Sequence, residues 1–557
     1  MKNLLYIIVA FTAFCFVSCD PENVIKKLDS IKESDPRDYI WDAASEIKIT
    51  LNETSISTSD AKKVKITGST ATITSVGNYK ISGKILNGQI VVNVKGKGIV
   101  RLILNNAEIT NSSSSAIYIA RATKTVIILP DGTKNTLIDG ENYNTIDDNE
   151  NSTIYSKDYL AFFGKGKLYV TGNYDGGITG RNELFIESGD ISVNSVGCGI
   201  RGRYFLIIND GNIEINSGDD GLKSNSDKSP TYGFVEINGG NFNINSAGDG
   251  ISALTDLTIN DGTFNIKTGG GSDYIADEIS SKGIKSKRNI LITGGELNFD
   301  CADHAIGATD KITVTDGTLN IKSARKAINA DTEIRISGGN ISVTGSNRGF
   351  NAHRIIIEGG QSMINTERYC IKAALSGSNT TDSDGSKLIV SGGKVALVNQ
   401  RSKAFQSLGD ILVSGGTLVI QGSANEDNNS VYYQGNFSVI GGTLALAGNS
   451  IMMPNSATTT QYVVKLNFRY PQLAGRFFCI RESVSQSDIF VMRAAKMASN
   501  IVASLPQLEA NKDYEVFSGG IDTGVSFNGF YADATYFPGT KIGSFTTSEE
   551  KVIVLEF

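Results

Sequence analysis

Histidine is almost missing from this chain: 557 residues contain two, His304 and His353. Neither sits in a nucleophile motif, and Ser-His-Asp, zinc-ligand and phosphate-loop patterns are absent, which removes the common hydrolase, zinc and nucleotide readings. There are eight prolines and one tryptophan, and no long segment shows helical apolar periodicity. The six cysteines show no CxxC spacing. Cys198, Cys301, Cys370 and Cys479 read as small buried apolar residues rather than disulfide partners. An excess of positive charge is also missing. The net charge of −6 gives no global case for nucleic acid.

Glycine is abundant, at 60 residues, and it recurs in a pattern. Between Lys282 and Phe350 the phrases Lys-Gly-Ile-Lys-Ser, His-Ala-Ile-Gly-Ala, Lys-Ala-Ile-Asn-Ala and Arg-Gly-Phe-Asn-Ala return every 22 residues. Their apolar anchors are Ile284, Ile306, Ile328 and Phe350. A second element, Gly294-Gly295, Asp316-Gly317 and Gly338-Gly339, keeps the same step. The anchor column extends as Ile117, Ile154, Ile178, Ile200, Leu222, Ile251 and then Ile371 and Phe405. A fixed period of this size marks a solenoid, whose repeats bury their apolar face only by stacking. Short strands alternating in and out around Gly turns predict an all-β chain, a right-handed parallel β-helix with turns of about 22 residues. At one strand spacing per turn, about twelve anchored turns would make a rod roughly 55–60 Å long. Insertions at 225–232, 269–281 and 375–386 should emerge as loops.

The two ends read differently. Residues 1–18 form an export signal, Lys2 followed by the apolar run Leu4 to Val17, too short to span a bilayer. The segment Phe16-Val17-Ser18-Cys19 resembles a bacterial lipobox, which makes Cys19 the lipidated first mature residue. That predicts a chain held at the cell envelope, at an outer membrane or cell surface, and touching membrane only through its lipid. Residues 19–44 read as a tether and 45–450 as the β-helix. The period dissolves after Leu446, so 451–557 reads as a small C-terminal β module that caps the open end.

Stacking turns each repeat position into a column. Two places before the anchors stand Cys198, Asp220, Asp249, Lys282, His304, Lys326, Arg348, Tyr369 and Lys403. The early half is acidic, with Asp219, Asp220 and Asp249 about one strand spacing apart. Two readings fit it: a calcium ion, which takes six to eight oxygens in flexible geometry, or Asp-Gly turn chemistry. Asp303, Asp273, Asp277 and Glu278 are weaker candidates. The later half is basic: Arg325, Lys326, Arg348, Arg368, Lys372 and Lys403, with Tyr369 and Tyr274 able to stack on sugar faces. Such a stripe suits a linear polyanion such as a uronate polysaccharide, or it is a solvated edge that deters aggregation. The one catalytic chemistry the pattern admits is β-elimination, with Lys223 or Lys282 as base near a calcium ion. Neighbouring carboxylates raise a lysine pKa, so calcium would have to offset them.

Several phrases match a known family, the β-helical bacterial cell-surface carbohydrate-binding domain proteins. They are Ile154-Tyr-Ser-Lys-Asp, Gly166-Lys-Leu-Tyr-Val-Thr-Gly-Asn-Tyr, Gly218-Asp-Asp-Gly-Leu-Lys-Ser and Phe264-Asn-Ile-Lys-Thr-Gly-Gly-Gly-Ser, followed by Ser280-Ser-Lys-Gly-Ile-Lys. The stretch from Leu505 to Phe557 is similar to the tail of many members. The resemblance covers about residues 45–557. It implies a pectate-lyase-like β-helix with bound calcium at Asp219, Asp220 and Asp249, binding cellulose-like or acidic sugar polymers without established catalysis. Many members carry acidic residues where this chain has Lys326 or Arg348, which favours an anionic ligand here. The expectation is a monomeric surface lipoprotein that binds polysaccharide. The alternatives are a calcium-dependent polysaccharide lyase, or an adhesin or scaffold without a glycan ligand.

Overall fold

The computed structural model describes residues 35–144, 150–274, 280–377, 382–425 and 429–557. The signal, Cys19, Asp277 and Glu278 lie outside the described residues. The chain divides into two compact units, Met1–Ile40 and Trp41–Phe557. In the first, the described part is a 3-10 turn, Pro36–Tyr39, whose N-cap Asp35 accepts from the Arg37 amide.

The second unit is a parallel β-helix. Each turn supplies three short strands, for example Ile284–Ser286, Asn289–Ile292 and Glu296–Cys301. Each strand pairs in parallel with its counterpart one turn on. The anchors fall in direct register: Ile90, Ile117, Ile154, Ile178, Ile200 and Leu222, continued by Ile251, Ile284, Ile306, Ile328 and Phe350, then Ile371, Phe405 and Val431. The ladder thus runs beyond the sequence-marked anchors at both ends, through Ile90 to Ala71 and through Val431 to Ile451. At one strand spacing per turn the stretch from Ile90 to Val431 is about 60 Å long.

Two further ladders close the core. One runs Ile290, Ile312, Ile334, Ile355, Leu388 and Ile411. The other runs Leu297, Leu319, Ile341, Ser362, Val395 and Leu418. The corner glycines between them are required. Gly317 and Gly339 sit at φ 103° and 80°, and a Cβ on Gly339 would lie 2.8 Å from the Gly317 carbonyl oxygen below. Side chains rarely adopt that φ, so only glycine lets successive corners approach this closely. Cys198, Cys301, Cys370 and Cys479 are buried and free, as the sequence suggested.

The last regular strand of the third ladder, Thr443–Gly448, pairs antiparallel with Ala498–Ser504. That strand pairs in turn with Val463–Gln472, which is parallel to Val552–Glu556. A separate five-stranded antiparallel sheet is built on Phe477–Glu482 and its neighbours. The irregular end therefore covers the open edge of the stack, which would otherwise offer unpaired backbone groups for aggregation. At the start, the hairpin Glu46–Glu53 with Ser55–Thr58 lies against Gly77–Ile85.

One position breaks the apolar ladder. Ser362 stands between Ile341 and Val395, is 1% exposed, and its Oγ has no hydrogen-bond partner among the described residues. A buried hydroxyl without a partner costs about 1–3 kcal/mol. Ser362→Ala should therefore raise the unfolding free energy by about 1 kcal/mol or more in denaturant titration. An unchanged or lower midpoint would show that the hydroxyl is satisfied.

Candidate functional site

The outward-facing column of the first ladder carries the charged face. Anchors point inward, so the residues after them point out, in the register Arg201, Lys223, Ser252, Lys285, Gly307, Asn329, Asn351, Lys372. Beside it runs the column two places before each anchor. Its backbone bonds step from Gly199 N to Asp220 O, Gly221 N to Asp249 O, Gly250 N to Lys282 O and Gly283 N to His304 O. They continue through Ala305 N to Lys326 O, with Lys326 opposite Arg348. The column read from spacing exists in space.

In the acidic half the carboxylates meet lysines. Lys223 Nζ lies 2.8 Å from Asp220 Oδ2 and 3.2 Å from Asp219 Oδ2. Asp249, 1% exposed, receives Lys285 Nζ at 2.8 Å on Oδ2. On its Oδ1 it accepts from Ser280 Oγ at 2.7 Å and the Lys282 amide at 2.9 Å. Its own amide donates to Asp220 Oδ1 at 2.8 Å. Lys282 Nζ turns to Asp303 Oδ2 at 2.6 Å, and His304 Nδ1 lies 2.9 Å from Asp303 Oδ1. Arg325 Nε stands 3.6 Å from the same oxygen, so this guanidinium belongs to the acidic half rather than the free basic stripe.

These pairs answer the calcium expectation. Asp219, Asp220 and Asp249 do sit together, but protein donors take up both oxygens of Asp220 and Asp249. Among the described residues no group of three or more His, Cys, Asp or Glu side chains is arranged to hold a metal ion. Calcium needs six to eight oxygens, and as arranged these side chains do not supply them. The same pairing bears on the two candidate bases. Burial opposes the charge on Lys223, but Asp220 overcomes it and pushes the lysine above its ordinary range. Lys223 is therefore not disposed to remove a proton. Lys282 is held by Asp303. Burial, and then the Asp249 charge, push the Asp220 carboxyl above its usual range.

The basic half has no such balance. Lys326, Arg348, Lys372 and Lys403 have no carboxylate within ion-pair distance among the described residues. Aromatic faces and amides hold them instead. Arg348 and Lys372 lie 5.7 and 5.8 Å from the Tyr369 ring centroid, and Lys403 lies 4.9 Å from that of Tyr432. Such contacts are worth about 0.5–2 kcal/mol each. Lys326 Nζ donates to Asn329 Oδ1 at 2.7 Å, Asn351 Nδ2 donates to the same oxygen at 3.1 Å, and Tyr369 OH donates to Asn351 Oδ1 at 3.2 Å. Burial, then repulsion from Arg348, lowers the Lys326 ammonium to about 8, and Lys372 is lowered for the same two reasons. Burial raises the Tyr369 phenol to about 12. Arg368 is exposed beside this group, and Tyr274 stands exposed on the 269–281 insertion. Asn329, Asn351 and Tyr432 belong to the site and were missed in the sequence. Their offset of one after the anchor would have found Asn329 and Asn351.

Fold and face together define a charged β-helix with a long open binding surface rather than a closed active-site pocket. Residues 67–327 and 316–460 match the family described as carbohydrate-binding domain-containing protein, well over half the chain. The chain belongs to that family. A curated relative with the same description, from Acetivibrio thermocellus, is 35% identical over 151 residues, 27% of this chain and 53% of that protein. The chain thus spans about half the length of the curated relative it matches. A solved structure described as a polysaccharide lyase-like protein from C. thermocellum, a gadolinium derivative, is 31% identical. It covers 44% of this chain and 96% of its own, with a TM-score of 0.42.

Two outcomes follow from the charges. Removing one partner of a buried pair strands the other charge, so Lys223→Met should cost about 3 kcal/mol at neutral pH. That deficit should shrink as pH falls and Asp220 becomes neutral. A calcium chelator should leave the thermal midpoint of the wild-type chain unchanged, and a fall in midpoint would contradict the lysine assignment. The Lys326 effect has the opposite sign. The folded state binds fewer protons than the unfolded one between about pH 8 and the ordinary lysine value near 10.4, so stability rises with pH across that window. Below it the buried charge is a full liability. Lys326→Met should therefore stabilise the chain at pH 7, with the gain fading above about pH 8; a gain constant with pH would rule this out.

Proposed function

We propose that this chain binds an acidic polysaccharide of the uronate type along the basic half of its β-helix. The observation that carries this reading is the unbalanced cluster of Lys326, Arg348 and Lys372 around Tyr369. Nearby cations with no counter-charge raise each other's free energy, and a polymer carboxylate lowers it while replacing their water. Turns repeat at about 4.8 Å, so the charges form a line able to meet a linear polyanion, and Tyr369 and Tyr432 hold the cations in place. In this reading Cys19 carries a lipid and keeps the β-helix at the cell envelope, with the polymer as partner. The balancing cations of the acidic half are its own lysines.

A second reading is favoured by Lys326 alone. An amine near pKa 8 is a competent base at neutral pH. It could take the proton beside a uronate carboxylate, forming a carbon–carbon double bond as the neighbouring glycosidic C–O bond breaks and the leaving oxygen takes up a proton. Arg348 and Lys372 would neutralise the carboxylate.

The test is retention of the chain from Asp20 onward on insoluble polygalacturonate and on cellulose. Retention on polygalacturonate should fall steeply with salt, as screened charge contacts do, and Arg348→Ala with Lys372→Ala should weaken it at least tenfold. Equal retention of the double variant would contradict the cationic site. New ultraviolet absorbance from unsaturated uronate, lost in Lys326→Met, would establish elimination as well.

A further inference from the structure

A second cluster of cations lies on the same face, before the acidic turns. Arg201 occupies the outward column directly after Thr179 and before Lys223. Arg181 and Arg203 each stand three places after their anchors, Ile178 and Ile200, in the following corner. There the Arg203 amide donates to the Gly180 carbonyl and the Ser226 amide to that of Arg203. With Asn151, Tyr155, Thr179 and Asn225 they line a cavity of about 290 Å³.

Three guanidinium groups facing one small cavity repel one another, and no described residue balances them. None of the three has a carboxylate within ion-pair distance among the described residues. Asp175 is engaged by the Asn151 side-chain amide, which donates to its Oδ2 at 2.6 Å. Arg201 Nη2 donates to Asn151 Oδ1 at 3.1 Å and Thr179 Oγ1 at 3.4 Å, which fixes the side chain. Its Nε is buried without an acceptor, and Asn225 Oδ1 is buried without a donor, among the described residues. A buried donor of a charged group left unpaired is costly. The cavity therefore presents three guanidinium groups, one of them fixed, with the amides of Asn151 and Asn225 and the Thr179 hydroxyl, at the small end of ligand-pocket size. Guanidinium forks match the two oxygens of a carboxylate or sulfate, which lysines match less well.

We infer that the Arg181–Arg201–Arg203 cavity is a second anion-binding site that takes the oxyanion substituent of one sugar residue in an acidic glycan. The anion chemistry stands on the cavity alone; that the glycan is the polymer of the basic stripe rests on the proposed function. From Arg201 to Asn329 the ladder climbs five turns, about 24 Å at one strand spacing each. The turns between are those whose carboxylates carry lysine partners, so a polymer lying along the face crosses a neutralised stretch between two cationic ends. Such a polymer is held by two sites at once, and binding then depends on length as well as charge, because a linked second contact is made at high effective concentration.

The experiment uses the chain from Asp20 onward, with galacturonate trimers and decamers and a sulfated glycan decamer as probes, read by calorimetric titration. The variants are Arg201→Gln with Arg203→Gln, and separately Arg348→Gln, each checked for an unchanged β-sheet spectrum and melting point. The expected result is that the arginine-pocket variant binds a decamer at least tenfold more weakly. The trimer, too short to bridge, should bind wild type far more weakly than the decamer. Which decamer responds identifies the oxyanion as carboxylate or sulfate. Loss in the pocket variant with none in Arg348→Gln would support this site and overturn the stripe. Loss in Arg348→Gln alone would support the stripe and overturn this site. Wild-type chain that binds neither decamer, or a pocket variant that binds both as wild type does, overturns it.

Discussion

The rest of the structure depends on in-register parallel stacking. Because each turn pairs with the next at a fixed offset, every repeat position becomes a line of side chains about 4.8 Å apart. For apolar residues this is favourable, and the Ile, Leu and Phe ladders of the interior are the result. For charged residues it is a difficulty. Two like charges at that spacing repel by roughly 3 kcal/mol at an effective dielectric of 20, and a column repeats the cost at each step. The protein meets it in two ways. Where carboxylates stack, lysines from the same or an adjacent turn fill the gaps: Lys223 at Asp219 and Asp220, Lys285 at Asp249, Lys282 at Asp303. Where cations stack, aromatic faces and an asparagine ladder hold the groups without cancelling them.

That difference gives the face its direction. The acidic turns are electrically finished and contribute order, with buried hydrogen-bonded pairs that fix side chains around Asp249. The basic turns are unfinished, and on the proposed reading an external anion completes them. A site of this kind needs no closure and no moving lid, because the backbone ladder already holds the charges rigidly. Membership of a carbohydrate-binding family and a long, open, charged face agree in kind, since a polymer is better met by a line than by a pocket.

Much of the fold was legible because the period is simple. All ten regular anchors, from Ile178 to Phe405, stand in direct register, and even the insertions leave the column intact, so Ile251 still meets Ile284 across a long excursion. The acidic and basic columns were legible for the same reason. What could not be read was which cation meets which carboxylate. Lys285 reaches Asp249 from 36 residues away, across a loop whose length hides the adjacency. The spacing therefore left calcium and Asp-Gly turns both open and did not display the lysine partners of these carboxylates. The arginine cavity mixes two offsets, one and three after the anchor, and no single column displays it. Beyond Leu446 the pairing is mixed and non-periodic, antiparallel for Thr443–Gly448 against Ala498–Ser504 and parallel for Val463–Gln472 against Val552–Glu556, and no repeat argument reaches it.

The central claim is that stacked columns align a polyanion with the solenoid axis. The most direct measurement is a crystal structure of the chain with a galacturonate decamer bound. The account predicts a sugar chain running along the axis, with successive carboxylates against Lys326, Arg348 and Lys372. A decamer lying across the strands, or bound away from this face, would contradict it.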